Sequence, residues 1–356
     1  MKYIVISGSS DIGTSIINNL AKSGNEIIYT YNSKKINSLK NVKAYKLDIS
    51  SRDNIKKFAR NNDDLNNWDH LVVLPAIQNP IGLFIESNSD EWARSVDLNF
   101  TNQMFIIREL IPRRSKKTKI KSIMLWAAGG INNAPKYYSA YLISKVAQIK
   151  MAELLDKEFD DIKVSIIGPG WVKTKIHEQT LKAKKLAREH YKTTIERFKK
   201  NKFNSMKDVV NCFNKIIGLE KRTVGGRNFS VQFDKWREKI LVEVLNADED
   251  MYKLRRDFND LQFSDLKFNI LDILNLFYKN KNFQKKNSLI YKTFKRILYI
   301  RFILELKKKG FENLIDTNNI DKLIYNFMKK NKKRKIITKY LLSKPIKIKK
   351  LIYILK

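Results

Sequence analysis

Seven short apolar runs alternate with helical patterns through the first two-thirds of this chain, and that alternation narrows its fold more than any other feature. The runs fall at 3–7, 26–31, 42–47, 70–74, 122–126, 163–167 and 227–231. Helical periodicity fills 12–23, 52–61, 90–110, 138–159 and 205–219. Strands separated in this way by helices predict a parallel sheet covered on both faces. Right-handed crossovers then give a doubly wound α/β fold, with ligands beyond the carboxyl ends of the strands.

After Trp236 the alternation stops, glycine nearly vanishes and lysine rises. Ile270, Leu271, Leu274, Phe277 and Tyr278 recur at helical spacing, as do Ile320, Leu323, Ile324, Phe327 and Met328. Lys307-Lys308-Lys309-Gly310 reads as a helix end, and Pro345 stops another helix begun near Lys335. The expected organisation is an α/β domain over 1–240 followed by a basic helical extension over 245–356.

Charge is concentrated in that extension. The chain carries a net +35; residues 266–356 hold 25 Lys and Arg against 5 Asp and Glu, which is +20 of the total. Such a segment suits an anionic membrane surface or a phosphate-rich partner. The alternative is a chain rich in Lys, Asn and Ile throughout. No recognised nucleic-acid module accompanies the charge, so specific nucleic-acid binding is not expected. A lone cysteine, Cys212, excludes an internal disulfide framework. The three histidines, His70, His177 and His190, form no ligand pair, and no metal site is expected. Neither a secretory signal nor an apolar run of ~20 residues is present. The expected location is cytoplasmic, with peripheral membrane attachment through the basic segment as an added option.

The stretch Ile4-Val5-Ile6-Ser7-Gly8-Ser9-Ser10-Asp11-Ile12-Gly13 links the first strand to the first helix. Small residues in such a turn let backbone N–H groups and the helix N-terminus meet a pyrophosphate. Further on, Tyr141-Leu142-Ile143-Ser144-Lys145 sets a phenol and an ammonium on one helix face. A phenol of pKa ~10 is a poor acid–base group near neutrality, and a nearby ammonium lowers that value.

In this order and context, the two motifs resemble the short-chain dehydrogenase/reductase family, over roughly residues 1–240. The resemblance implies a Rossmann-type fold, a nicotinamide cofactor and interconversion of a ketone with a secondary alcohol. Tyr141 would be the acid–base and Lys145 its partner. Asn99, in Val96-Asp97-Leu98-Asn99, corresponds to the asparagine that holds a water in the family's proton relay. Ser7, Gly8, Ser9, Ser10, Asp11, Ile12 and Gly13 would meet the pyrophosphate, with Ser7 and Asp11 standing where the family has glycine. Asp48 and Ile49 would lie beside the adenine, and Pro169, Gly170 and Thr174 beside the nicotinamide. At Asn32 the chain lacks the carboxylate that meets a free 2′-hydroxyl, and Lys34 and Lys35 follow. NADP(H) is therefore favoured over NAD(H), unless the two lysines are merely solvated. A homo-oligomer is expected on the same resemblance.

One departure is serious. The family's substrate-orienting serine falls at Ala127 or Ala128, so a second reading is a catalytically impaired nucleotide-binding scaffold or sensor. The Trp126-Ala127-Ala128-Gly129-Gly130 segment is similar to bacterial members linked to cell-surface polysaccharide synthesis, which implies a sugar-type substrate. Substrate contacts are expected in 75–86, 130–138 and 175–191.

Overall fold

The computed structural model describes residues 1–130, 133–238 and 240–255, all within the first of the chain's two units, Met1–Arg255. The helices expected beyond 256 lie outside the described residues. Chain order runs β1 (Lys2–Ile6), α1 (Asp11–Lys22), β2 (Glu26–Tyr31), β3 (Val42–Lys46), α2 (Arg52–Arg60), β4 (His70–Val73), α3 (Ser89–Val96), α4 (Asn102–Leu110), β5 (Lys121–Trp126), α5 (Ser139–Glu158), β6 (Ile162–Gly168), α6 (His177–Ala183), α7 (Glu189–Lys199), α8 (Met206–Gly218), α9 (Lys221–Val224), β7 (Asn228–Ser230) and α10 (Ile240–Ala247).

The seven strands form one sheet in the order β3-β2-β1-β4-β5-β6-β7, every neighbouring pair parallel. This is the doubly wound Rossmann-type sheet. Strand order reverses between β1 and β4, which opens a crevice at their carboxyl ends. The central strands β1, β4, β5 and β6 are buried along almost their whole length because helices cover both faces. Ile16, Ile17 and Leu20 of α1 with Val209, Phe213 and Ile216 of α8 fill one face. Ile55 and Phe58 of α2, Ile106 and Leu110 of α4, and Ile149 and Ala152 of α5 fill the other.

The structure departs from the sequence pattern in three places. The helix expected over 90–110 is two helices, α3 and α4, joined by a π-helical turn at Asp97–Thr101. Helices α6 and α7 occupy a polar stretch in which no helix was expected. Residues 245–255 pack on the α/β unit instead of opening the extension. Leu241 and Leu245 of α10 are buried. The buried Arg227 guanidinium donates to the carbonyls of Leu245, Asp248 and Met251 at 2.6–2.9 Å. A buried cation requires such partners. Asn228 N donates to Tyr252 O at 2.9 Å along the outer edge of β7, and Arg255 makes a bidentate pair with Glu153 of α5. Among the described residues no helix is long and apolar enough to cross a membrane.

Candidate active site

The turn after β1 is packed from below. A Cβ on Gly8 would stand 2.7 Å from Ile17 and from Tyr29, and one on Gly13 would stand 2.5 Å from the Gly8 carbonyl oxygen. These two glycines are sterically required. Ser7, at a glycine position of the family pattern, has φ 58°, a region that favours glycine. Its N–H is fixed on Thr30 Oγ1 at 2.9 Å. Ser10 caps α1 by accepting from Gly13 N, and Asp11 opens the helix. The Asp11 carboxylate reaches across to accept the N–H of Lys175 at 2.8 Å, tying this turn to the loop after β6. The half-bare turn and helix N-terminus together suit an anion, with the Asp11 charge set at the same end.

Asn32 follows β2 and is exposed, as are Lys34 and Lys35. Asp48 is exposed beyond β3 and accepts from Ser50 N at 2.9 Å, while Ile49 is buried. Pro169 and Gly170 follow β6. Gly170 has φ +70°, and a Cβ there would strike Asn204 Nδ2, which bonds the Pro169 carbonyl. Thr174 is half-buried. Parallel pairing thus brings all these segments to the carboxyl edge of the sheet.

Asn99 sits in the π-helical turn and is fully buried. Its side chain accepts from Ile77 N at 2.9 Å and donates to Ile77 O at 2.8 Å and to Ser95 Oγ. It therefore anchors the loop after β4. Its carbonyl, freed by the π turn, accepts from Gln148 Nε2 at 2.9 Å. Tyr141 and Lys145 lie one turn apart on α5, with Nζ 5.9 Å from the phenol ring centroid. Lys145 Nζ donates to Trp126 O at 2.9 Å and to Gln148 Oε1 at 3.1 Å.

The expected lowering of the phenol by its neighbour is not what this geometry gives. Burial raises Tyr141 above its ordinary value and pushes the Lys145 ammonium down to about 7. The Lys145 ammonium turns to Trp126 O at the end of β5 and to Gln148 Oε1 on its own helix. The sequence reading missed Gln148 and its neighbour Gln103. Their one signal was an amide three residues after Lys145, on the face of α5 that also carries Ile149 and Ala152.

Residues 6–214, more than half of the chain, match a short-chain dehydrogenase family model described as enoyl-(acyl carrier protein) reductase. The chain belongs to the short-chain dehydrogenase/reductase family. A relative in this family, the NADP-dependent mannitol dehydrogenase of Alternaria alternata, is 24% identical over 190 residues, covering 49% of this chain and 71% of that protein. The solved structure of a Saccharomyces cerevisiae short-chain dehydrogenase/reductase matches with a TM-score of 0.58 at 18% identity, over 68% of this chain and 98% of that one. That of a Thermoplasma acidophilum aldohexose dehydrogenase matches at 0.56 and 17% identity, over 65% and 91%. Family members are typically NAD(P)-dependent oxidoreductases acting on small molecules.

Against the family pattern, this short-chain dehydrogenase/reductase has Ala127 buried in the core at 4% exposure and Ala128 half-buried. Ser139, the nearest hydroxyl before Tyr141, accepts from Trp92 Nε1 at 2.9 Å. A cavity of about 530 Å³ opens beside Ile77 and Ser95, walled by residues of 77–82, α3 and α6, including Glu91, Arg94 and Lys182. Two of the stretches expected to touch substrate, 75–86 and 175–191, meet there.

Proposed function

We propose that this chain is an NADP(H)-dependent oxidoreductase that interconverts a ketone and a secondary alcohol. The observation that carries the reading is the Tyr141–Lys145 pair, one helical turn apart on α5 and next to the end of β5. The turn at Gly8 and Gly13 fits a dinucleotide, because its backbone has no room for side chains beneath it. Ser9, Ser10 and the N-terminus of α1 would hold the phosphates, Asp48 and Ile49 the adenine end, and Pro169, Gly170 and Thr174 the nicotinamide end. When bound, the cofactor supplies or accepts the hydride. In the reduction, Tyr141 gives its phenolic proton to the carbonyl oxygen; in the oxidation its phenolate takes the alcohol proton. Among the described residues Lys145 has two of its three N–H donors engaged, so one remains for the cofactor.

Lys34 and Lys35 after β2, with no carboxylate at Asn32, support NADP(H). The name of the mannitol dehydrogenase supports a sugar-type or polyol substrate, and a role in polysaccharide synthesis would be one setting for it. We also propose a homo-oligomeric cytoplasmic protein. Its basic segment, +20 over 266–356, would attach it to anionic membranes. Sedimentation with anionic and neutral vesicles tests that attachment, and equal binding to both would rule out the electrostatic version.

Titration with NADPH and NADH, followed by nicotinamide fluorescence, tests the cofactor. Tight NADPH binding with weak NADH binding is expected, and Lys34→Ala with Lys35→Ala should narrow the difference. Turnover of a keto-sugar panel should be lost in Tyr141→Phe, and full turnover in that variant would overturn the mechanism. A second reading, a scaffold that binds cofactor without turnover, is favoured by the absence of a serine at Ala127 and Ala128. Cofactor binding without turnover of any panel member would select it.

A further inference from the structure

The buried face of α5 carries polar side chains whose partners divide them cleanly. Ser144 returns its hydroxyl to Ala140 O within the helix, and Glu153 is paired with Lys150 and Arg255. Gln148, which is fully buried, instead touches the Lys145 ammonium. Its Nε2 donates to Asn99 O at 2.9 Å and to Gln103 Oε1 at 2.5 Å. Gln103 Nε2 in turn donates to Pro75 O at 2.8 Å and to Leu98 O at 3.1 Å.

These amides can sit only one way round. The carbonyls of Pro75, Leu98 and Asn99 accept and cannot donate, while the Lys145 ammonium donates and cannot accept. Gln103 must therefore turn its NH₂ to the loop after β4, and Gln148 must turn its NH₂ to Asn99 and Gln103. The Gln148 carbonyl oxygen is left facing Lys145 at 3.1 Å. Burial lowers the pKa of Lys145, and among the described residues its hydrogen-bond acceptors are uncharged. Its charged form is supported by two neutral oxygens, of which Trp126 O is backbone and Gln148 Oε1 is a choice of sequence.

We infer that Gln148 is a positioning residue that holds the Lys145 ammonium against the end of β5 and supports its charge, braced through Gln103 and Asn99 to the loop after β4. The inference deepens the proposed function and rests on it for its catalytic meaning. The contact itself can be tested without cofactor.

That test is the pH dependence of unfolding. An unfolded lysine holds its proton up to about 10.5, whereas burial brings folded Lys145 down to about 7. Between those values the unfolded chain binds more protons, so stability climbs with pH across the window. Lys145→Met should remove that climb and so identify it. In Gln148→Leu, which is similar in size and has no acceptor, the window should begin at lower pH. In Gln148→Glu, whose carboxylate faces the ammonium, it should begin higher by about 1–3 pH units. Windows that stay in place in both variants, with only the overall melting temperature lowered, would reduce Gln148 to packing and overturn the inference. NADPH titration of the native protein is read separately. Failure to bind there would count against the proposed function, while the window shifts would still decide the role of Gln148.

Discussion

Ser139 Oγ accepts the indole N–H of Trp92 at 2.9 Å, joining the start of α5 to α3. That bond turns the Ser139 oxygen toward α3, and a residue two positions along a helix lies off the face of Tyr141, so Ser139 does not stand in for the missing substrate-orienting hydroxyl. Restoring a serine should therefore raise turnover, and the structure distinguishes the two positions. Ala127 packs in the apolar layer with Ile149 and Ile166, whereas Ala128 is half-buried at the strand end. Ala128→Ser is expected to raise kcat by about 10²-fold, the usual scale for one oriented donor. Ala127→Ser should instead lower the melting temperature, because its hydroxyl enters an apolar layer. Steady-state kinetics and thermal melts on both variants check this.

Gly13→Ala should destabilise the protein by about 1–3 kcal/mol, the range for overpacking, and abolish nucleotide binding. The new Cβ would stand 2.5 Å from the Gly8 carbonyl oxygen, which is backbone and has no rotamer with which to yield. Denaturant melts and cofactor titration give the two readouts.

The strands were legible because β4, β5 and β6 are buried on both faces and carry short clusters of apolar, mostly β-branched residues. The glycine turn and the Tyr141–Lys145 pair were legible because each depends on spacing along one segment. The break at Asp97–Thr101 was not, since neither proline nor glycine marks it and the apolar period merely slips by one residue. Helices α6 and α7 escaped because their sequences are mostly polar and neither has a side-chain N-cap. Gln148 was invisible for a different reason. A glutamine on a helix states nothing of its partners until Asn99, Gln103 and Lys145 are brought together from three helical elements.

Acid should weaken the fold through His70. Its ring lies tilted against Tyr3, with centroids 4.4 Å apart, and Nδ1 lies 2.6 Å from Ser122 Oγ. Burial, reinforced by Lys163, pushes its pKa from 6.5 to about 4. Between those values the unfolded chain takes a proton that the folded chain refuses, so stability falls as pH drops from about 6.5 toward 4. In His70→Gln that part of the decline should disappear. Melting temperatures at pH 7, 6, 5 and 4.5 would show it, and an unchanged decline would assign the acid sensitivity to other groups.

Asp11→Ala should release the loop after β6. The carboxylate accepts the Lys175 N–H at 2.8 Å, and its loss should speed hydrogen exchange at Lys175 and in the first turn of α6. Removing a negative charge from the N-terminus of α1 should also tighten NADPH binding. Exchange mass spectrometry and fluorescence titration read the two effects independently.

The bond from Asn228 N to Tyr252 O has a consequence for how the molecule meets its neighbours. β7 is the last strand of the sheet and only three residues long. An open sheet edge is a template on which a foreign chain can add as another strand. Here the protein's own backbone, returning past α10 and held in place by Arg227, occupies a donor on that edge. The chain that follows the last strand thus guards the sheet against aggregation from that side.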